Sequence, residues 1–376
     1  MKGEDLKRLI RQVRKYGLDE SFDTTSDFDA WVKSLNPKQV KNFNSLTVDP
    51  DEILFPTVYL VNKDLLNCDD YFDRVNAMMK IKNANGWYHL FNRLCSPNFL
   101  NSENYYYDME MISKAPTAQH PLWIIAEDDF INSPYHKEDF ELIINAKDTP
   151  KEDGDTRDWL VEEALTEVAG DKNSINGPYH RQDMQLIAQS GSDCLQSSNS
   201  YPETSLNNLA TDATSLKDPY HLENMKILRD SQEYGEYLYE LMTDPRIING
   251  KNYRDEINAI ANAKSFIKAT AMYHFITNPE DEPNYYEYLH ELDISLMDAY
   301  IIKRNNAVKG ASLPDYLKHL KMLNLVDDKY VFYFESLLSN KFFANSPYCS
   351  FDLDMLLTIK DFELFIDMYK LMSNLR

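Results

Sequence analysis

The stretch that decides the fold is NSPYHKEDFELIINA, residues 132–146, because the chain repeats it. It returns as NGPYHRQDMQLI at 176–187, as KDPYHLENMKIL at 217–228 and as NSPYCSFDLDML at 345–356. Each copy opens with a small or acidic residue followed by proline, which is typical of a capped helix start. An apolar, polar, apolar, apolar pattern follows. Each copy therefore predicts one helix.

The apolar pattern alone occurs at nine places in the chain. The copies begin at residues 75, 109, 140, 184, 225, 257, 286, 317 and 353, and those at 286 and 317 are the weakest. Their spacing of 29–44 residues is typical of two-helix repeats stacked into a solenoid. We therefore predict an all-α fold, a solenoid of about nine two-helix repeats.

A second helix is expected between successive copies. The candidate segments are 87–94, 121–129, 157–169, 202–210, 234–242, 264–276, 294–303 and 330–338. Most of them are followed by a short loop with Asn or Gly, and these residues commonly end a helix in the left-handed conformation. We predict that residues 68–376 form one continuous array without a linker.

Residues 1–67 precede the repeats and are predicted to form an N-terminal helical cap. The first helix carries Leu6, Leu9 and Val13 on one face and basic residues on the other. A cap would hide the apolar edge of the first repeat, which solenoids require. The alternative is a basic helix that holds a partner or a second subunit.

The net charge of −22, from 61 acidic and 39 basic residues, bears most directly on function. Nucleic-acid binding needs Lys and Arg to replace phosphate counterions, so we expect no direct binding of nucleic acid and instead a protein partner with a basic surface. The charge could also serve solubility alone. A third interpretation is an acidic face that imitates phosphates and blocks a nucleic-acid-binding protein.

Compartment and cofactors follow from what the sequence lacks. The sequence contains no run of eighteen apolar residues, which a membrane span would need. The first residues do not have the pattern of a signal peptide. Four scattered cysteines without a CxxC pair suggest reduced thiols. We expect a cytoplasmic protein with no cofactor and no metal.

The Pro-Tyr-His segments are interpreted as structural repeat positions. These positions are Tyr135, His136, Tyr179, His180, Tyr220 and His221. Equivalent residues of neighbouring helices lie about 10 Å apart, too far for ligands of one zinc ion, which is bound at about 2.0 Å. We expect each histidine to pack on its turn and to bond a backbone group at the helix start.

Two segments are candidates for partner binding. Tyr105, Tyr106 and Tyr107 are consecutive, so at least one should reach the surface of a helix. The polar loop 189–202 departs from the repeat and contributes Ser192, Cys194, Asn199 and Tyr201. Cys194 with His180 or His221 as base would make a cysteine-dependent enzyme, but no acid or oxyanion donor is evident beside it.

The sequence therefore predicts a non-enzymatic protein–protein interaction module. The first alternative is a nucleic-acid-mimicking inhibitor of the kind that mobile elements or phages use, and the second is the enzyme centred on Cys194. The apolar stripe of the last helix either closes the stack or pairs with another chain, which leaves a homodimer through the terminal helices open.

Overall fold

A computed structural model describes residues 3–18, 24–84, 87–146, 160–190, 205–277 and 315–374. Within these ranges the chain is all-helical, with 25 α-helices and no strand. This confirms the all-α prediction. Contacts divide the chain into two compact units, residues 1–200 and 201–376. The boundary predicted after residue 67 lies inside unit 1 and stays a prediction.

Unit 1 contains fourteen of the described helices. They are α1 (Gly3–Lys15), α2 (Thr25–Ser34), α3 (Pro37–Ser45), α4 (Lys63–Leu66), α5 (Tyr71–Met78), α6 (Phe91–Leu94), α7 (Pro97–Leu100), α8 (Tyr105–Lys114), α9 (Gln119–Ile124), α10 (Asp128–Ile131), α11 (His136–Ile144), α12 (Leu160–Gly170), α13 (Lys172–Ile175) and α14 (His180–Ala188).

Unit 2 contains the other eleven described helices. They are α15 (Leu206–Thr211), α16 (His221–Asp230), α17 (Gly235–Thr243), α18 (Pro245–Ile248), α19 (Tyr253–Ala261), α20 (Phe266–Thr277), α21 (Tyr316–Leu323), α22 (Val331–Ser339), α23 (Lys341–Ala344), α24 (Cys349–Thr358) and α25 (Phe362–Asn374).

Helices of the same kind contact one another from copy to copy in unit 1. The helices that carry the apolar pattern, here called lead helices, are in contact in the order α5, α8, α11 and α14. The second helices α6, α9 and α12 form a parallel series of contacts, and so do the four-residue helices α4, α7, α10 and α13. Each copy in unit 1 therefore adds three helices, not the two that the sequence predicted.

The short helices replace the loops that were expected before each copy. Asp171 and Asn340 cap two of them through side-chain oxygens that accept backbone N–H groups. At the other end Asn132 and Asn249 donate from Nδ2 to the carbonyl oxygen four residues earlier, at 2.8 and 2.6 Å. Their φ angles are −94° and −83°, so the predicted left-handed stop is wrong for these two.

The predicted cap residues open the turn after the short helix but do not cap the lead helix. Ser133 Oγ accepts from the backbone N–H of Tyr135 at 3.0 Å, and Asp218 Oδ1 accepts from Tyr220 in the same way at 2.9 Å. The lead helices begin two residues later than the prolines that were predicted to start them, at His136 and His221. The capped proline turn therefore sets the direction in which each lead helix leaves the short helix.

The apolar pattern marks the core in the described copies other than the one at 317, where Leu317 is partly exposed and His319 is buried. The first and last residues of the pattern, such as Phe140 and Ile143 or Ile257 and Ile260, have no exposed surface. The third residue, such as Leu142, is partly exposed. Fully burying one such side chain contributes about 1.5–3 kcal/mol, so the pattern supplies much of the stability of each copy.

The copies predicted at 257 and 317 are direct neighbours. Helices α19 and α21 are in contact, and Tyr316 donates to Oε1 of Glu256 at 2.8 Å. The copy predicted at 286 and the second helix at 294–303 lie outside the described residues.

The N-terminal helices cover the first lead helix as a cap would. Helix α3 contacts α1, α4 and α5, and a capping box formed by Asn36 and Gln39 fixes its start. Leu9 and Val13 of α1 are buried against this layer. Gly17, with a φ of +63°, lets the chain turn immediately after α1.

We expect Ile257→Ala to lower the free energy of unfolding by about 2–5 kcal/mol, because it removes a fully buried side chain and leaves a cavity. The neighbouring Asn258 is exposed, so Asn258→Ala is the matched control. Urea denaturation followed by circular dichroism measures both. Equal losses in the two variants would contradict the assignment of the core face.

Candidate functional site

The histidines of the repeated stretch lie between neighbouring lead helices. His136 on α11 places Nε2 2.8 Å from Oδ1 of Asp108 on α8, and His180 on α14 places Nε2 2.8 Å from Oδ2 of Asp139 on α11. All four side chains are buried. Each histidine therefore links its own lead helix to the preceding one through a buried carboxylate.

The second nitrogen of each ring contacts the short helix. Nδ1 of His136 faces the carbonyl oxygen of Phe130, and Nδ1 of His180 lies 2.9 Å from the hydroxyl of Ser174. His221 makes the same contact with Ser215, at 2.9 Å. The histidines were expected to bond a backbone group at the start of their own helix. Instead, Nδ1 of each ring contacts a group six residues earlier in the chain. In His136 and His180, Nε2 also contacts a carboxylate of the preceding copy.

Other copies keep this link with different chemistry. The first residue of the lead helix reaches the fourth residue of the preceding lead helix. Tyr105 packs on Arg74, whose guanidinium carbon is 4.0 Å from the ring centroid, and the Tyr253 hydroxyl accepts from Nδ2 of Asn224 at 2.5 Å. The contact between these two helix positions therefore recurs from copy to copy, although the residue types change. This favours a packing role for the histidines.

Burial controls the protonation of these carboxylates. Loss of solvent raises the pKa of Asp108 and of Asp139, and the hydrogen bonds from His136 and His180 oppose that rise. A carboxylate buried without its partner would cost several kcal/mol. The histidine therefore makes burial of the carboxylate tolerable.

Ser174, His180 and Asp139 form a chain like that of a serine hydrolase, but it lacks access to a substrate. Ser174 has no exposed surface, and His180 and Asp139 are 1% and 2% exposed. Nucleophilic catalysis requires a hydroxyl that meets the reacting carbonyl. The described residues also contain no group of three or more His, Cys, Asp or Glu side chains that could hold a metal ion.

The cysteine hypothesis rests on residues that the structure does not describe. Ser192, Cys194, Asn199 and Tyr201 all lie outside the described residues, within the gap 191–204. Both ring nitrogens of His180 already have partners within the protein.

The tyrosine candidates at the start of α8 divide between core and surface. Tyr105 is buried, whereas Tyr106 is 47% exposed. The hydroxyl of Tyr106 donates to Oδ2 of Asp70 at 2.6 Å, and that of Tyr107 donates to Oε1 of Glu141 at 2.9 Å. The prediction that one of the three reaches the surface is confirmed, but both outer hydroxyls also link neighbouring copies.

The edge formed by the starts of the lead helices carries further links. Arg181 donates from Nε to Glu138 of the preceding copy at 2.8 Å and lies beside the Tyr135 ring. Arg254 pairs in the same way with Glu223, and its guanidinium carbon is 4.5 Å from the Tyr220 ring centroid. Tyr135 and Tyr220 therefore support the arginines of the next copy. Tyr179 is half-buried at the equivalent position.

An exposed apolar surface lies on the last two described helices. Leu364 and Leu371 on α25 are 52% and 51% exposed, and Met368 lies between them on the same helical face. Phe351 on α24 is 68% exposed. We call these four residues the C-terminal face. The apolar stripe of the last helix, visible in the sequence, indicated this surface. The sequence could not show that Leu364 and Leu371 each keep about half of their surface exposed.

The helices that carry the C-terminal face bear more acids than bases, and we call these acids its acidic rim. Residues 349–374 contain five acidic side chains and two lysines. Exposed apolar patches rimmed by polar residues mark interaction sites. The acidic rim would favour a partner that is both apolar and basic.

Comparisons with known proteins give no further assignment. No protein-family model, no curated protein sequence and no solved structure matches this chain. Among the described helices, none is both long enough and apolar enough to cross a bilayer.

We expect His180→Leu to lower the free energy of unfolding by about 3–5 kcal/mol, because it leaves Asp139 buried without its partner. Adding Asp139→Asn should recover part of that loss by removing the buried charge. Arg181→Leu, which breaks only the exposed pair with Glu138, is the control and should cost far less. A double variant that is no more stable than His180→Leu would contradict the buried-charge explanation.

The raised pKa of Asp108 and Asp139 also sets a pH dependence. The stabilising contribution of their protonated forms is fully present below about pH 4, the range of an unfolded carboxyl group, and is lost as the pH rises through the higher folded values. Between about pH 4 and neutrality, the free energy of unfolding of the double variant Asp108→Asn/Asp139→Asn should therefore fall less with rising pH than that of the wild-type protein. Urea denaturation across that range tests this, and an unchanged slope would contradict it.

Proposed function

We propose that the chain is a non-enzymatic solenoid of helical repeats that binds a basic protein partner. The observation that carries this proposal is the C-terminal face, where Phe351, Leu364 and Leu371 are each at least half exposed within an acidic rim. Apolar anchors would supply affinity, and the acidic residues would speed the encounter with a basic partner.

The position of Phe351 supports an interface at this face. In preceding copies the third residue of the lead helix contacts the next copy, as Glu138 does with Arg181 and as Lys318 does with Ser350. Phe351 is the third residue of α24. A large exposed aromatic side chain therefore stands at the edge through which the copies normally join.

The buried polar groups support a non-enzymatic role. The histidines at the repeat positions serve as links between helices, and the Ser174–His180–Asp139 chain has almost no exposed surface. Such groups stabilise the array and present no reactive atom to a substrate. The net charge of −22 further favours basic partners over nucleic acid.

The nucleic-acid-mimicking inhibitor receives less support from the lead-helix edge. A mimic requires carboxylates repeated like phosphates, but Arg181 and Arg254 pair with Glu138 and Glu223 along this edge. Pairing with arginine reduces the negative field that a nucleic-acid-binding protein would meet. Mimicry therefore remains the second proposal, and displacement of DNA or RNA from a captured partner would favour it.

We expect Leu364→Ser/Leu371→Ser to weaken partner binding by about tenfold or more, because these side chains supply the apolar anchors. The control is Leu54→Ser, which changes a leucine of similar exposure, 47%, in unit 1. Affinity capture from the source cell with mass spectrometry identifies the partner, and titration calorimetry at rising salt measures its affinity. Equal binding by all three proteins would contradict the proposal.

A further inference from the structure

Helix α1 carries five exposed cations and two exposed acids, and so has an excess of positive charge in an acidic protein. Its exposed basic residues are Lys7, Arg8, Arg11, Arg14 and Lys15. The other arginines within the described ranges, from Arg74 to Arg254, each pair with a carboxylate. Within the same ranges the arginines of α1 have no carboxylate within ion-pair distance. Their charge is therefore available to an acidic partner.

A groove of about 480 Å³ lies between α1 and α3 beside these cations. Two cations, Arg8 and Lys41, and one acid, Asp5, line it together with the apolar side chains of Leu35 and Val40. Asn44 also lines the groove, is 6% exposed, and its Oδ1 has no hydrogen-bond partner. The groove therefore offers positive charge, apolar surface and one unused acceptor.

The exposed side of α25 has the complementary character. Leu364 and Leu371 lie on one helical face, and the exposed acids Glu363 and Asp367 flank it together with the exposed Lys370. Acidic and apolar groups on one helix would meet the cationic and apolar groups of the groove. Such complementary but different surfaces produce a head-to-tail contact between copies.

We propose that two copies of this chain associate head to tail, with the α1–α3 groove of one copy receiving the exposed side of α25 of the other. This inference rests on the proposed function, because it takes the C-terminal face to be an interaction surface. It specifies a second copy as a partner of that face. The cationic helix α1 supplies the basic surface that the acidic rim favours.

The test reverses charge on each side separately. Arg8→Glu/Lys41→Glu changes the groove, and Glu363→Lys/Asp367→Lys changes α25. Sedimentation velocity over a range of protein concentrations at low salt measures self-association. We expect the wild-type protein to associate and each double variant to associate about tenfold more weakly, because opposed charges become like charges.

The decisive experiment restores the pairing of opposite charges. An equimolar mixture of the two double variants, and the single chain with all four substitutions, should regain wild-type association. Lys172→Glu/Lys217→Glu reverses two exposed lysines elsewhere and should have no specific effect. Circular dichroism checks the fold of each variant. Recovery in the four-substitution chain could not occur if the changes had only unfolded it.

Any of four outcomes would overturn the proposal, and the first three concern self-association. These are a wild-type protein that is monomeric at every concentration, association that neither reversal weakens, and loss of association that the four-substitution chain does not recover. Retention of only an unrelated acidic protein by the groove would also overturn it. If self-association fails while Leu364→Ser/Leu371→Ser still abolishes capture of a basic partner, the proposed function stands and only this inference falls.

Discussion

The structure depends on one side-chain link between successive lead helices. In five of the described copies the first residue of the lead helix reaches the fourth residue of the lead helix before it, as His136 does with Asp108 and Tyr316 with Glu256. These groups are buried, so an unmet partner would cost far more than an exposed pair contributes. The link therefore fixes the distance and register of neighbouring copies as well as adding stability. Apolar packing alone would tolerate sliding of one helix along the other.

This constraint explains why histidine recurs without a catalytic or metal-binding arrangement. Imidazole has two nitrogens on opposite sides of a small ring, so one nitrogen can meet the preceding lead helix while the other meets the short helix. In His180 they meet Asp139 and Ser174. Tyrosine can make only the first of these contacts through its hydroxyl. The hydroxyl of Tyr316, for example, meets Glu256 of the preceding lead helix.

The two ends of the chain differ from the middle in what they leave exposed. In the middle, exposed acids such as Glu138 and Glu223 meet arginines of the next copy. Helix α1 retains exposed cations, and α25 retains exposed leucines beside acids. Interior copies satisfy charge through neighbouring copies, whereas the cations of α1 and the leucines of α25 stay exposed among the described residues. The proposed interactions use this difference.

The sequence by itself determined that the fold is all-α, where the lead helices lie and which of their residues form the core, because period and capping are local properties of the chain. It did not reveal the short helices, because four residues are too few to show a period. It also did not show that α22 is buried along its whole length, including Glu335 and Ser339, because burial depends on what packs against every side of a helix. Only the tertiary structure decided the carboxylate partners of His136 and His180, the adjacency of α19 and α21 and the exposure of the C-terminal face. Each of these results from contacts between residues about 30 or more positions apart, or from the absence of such contacts, and no local pattern encodes them.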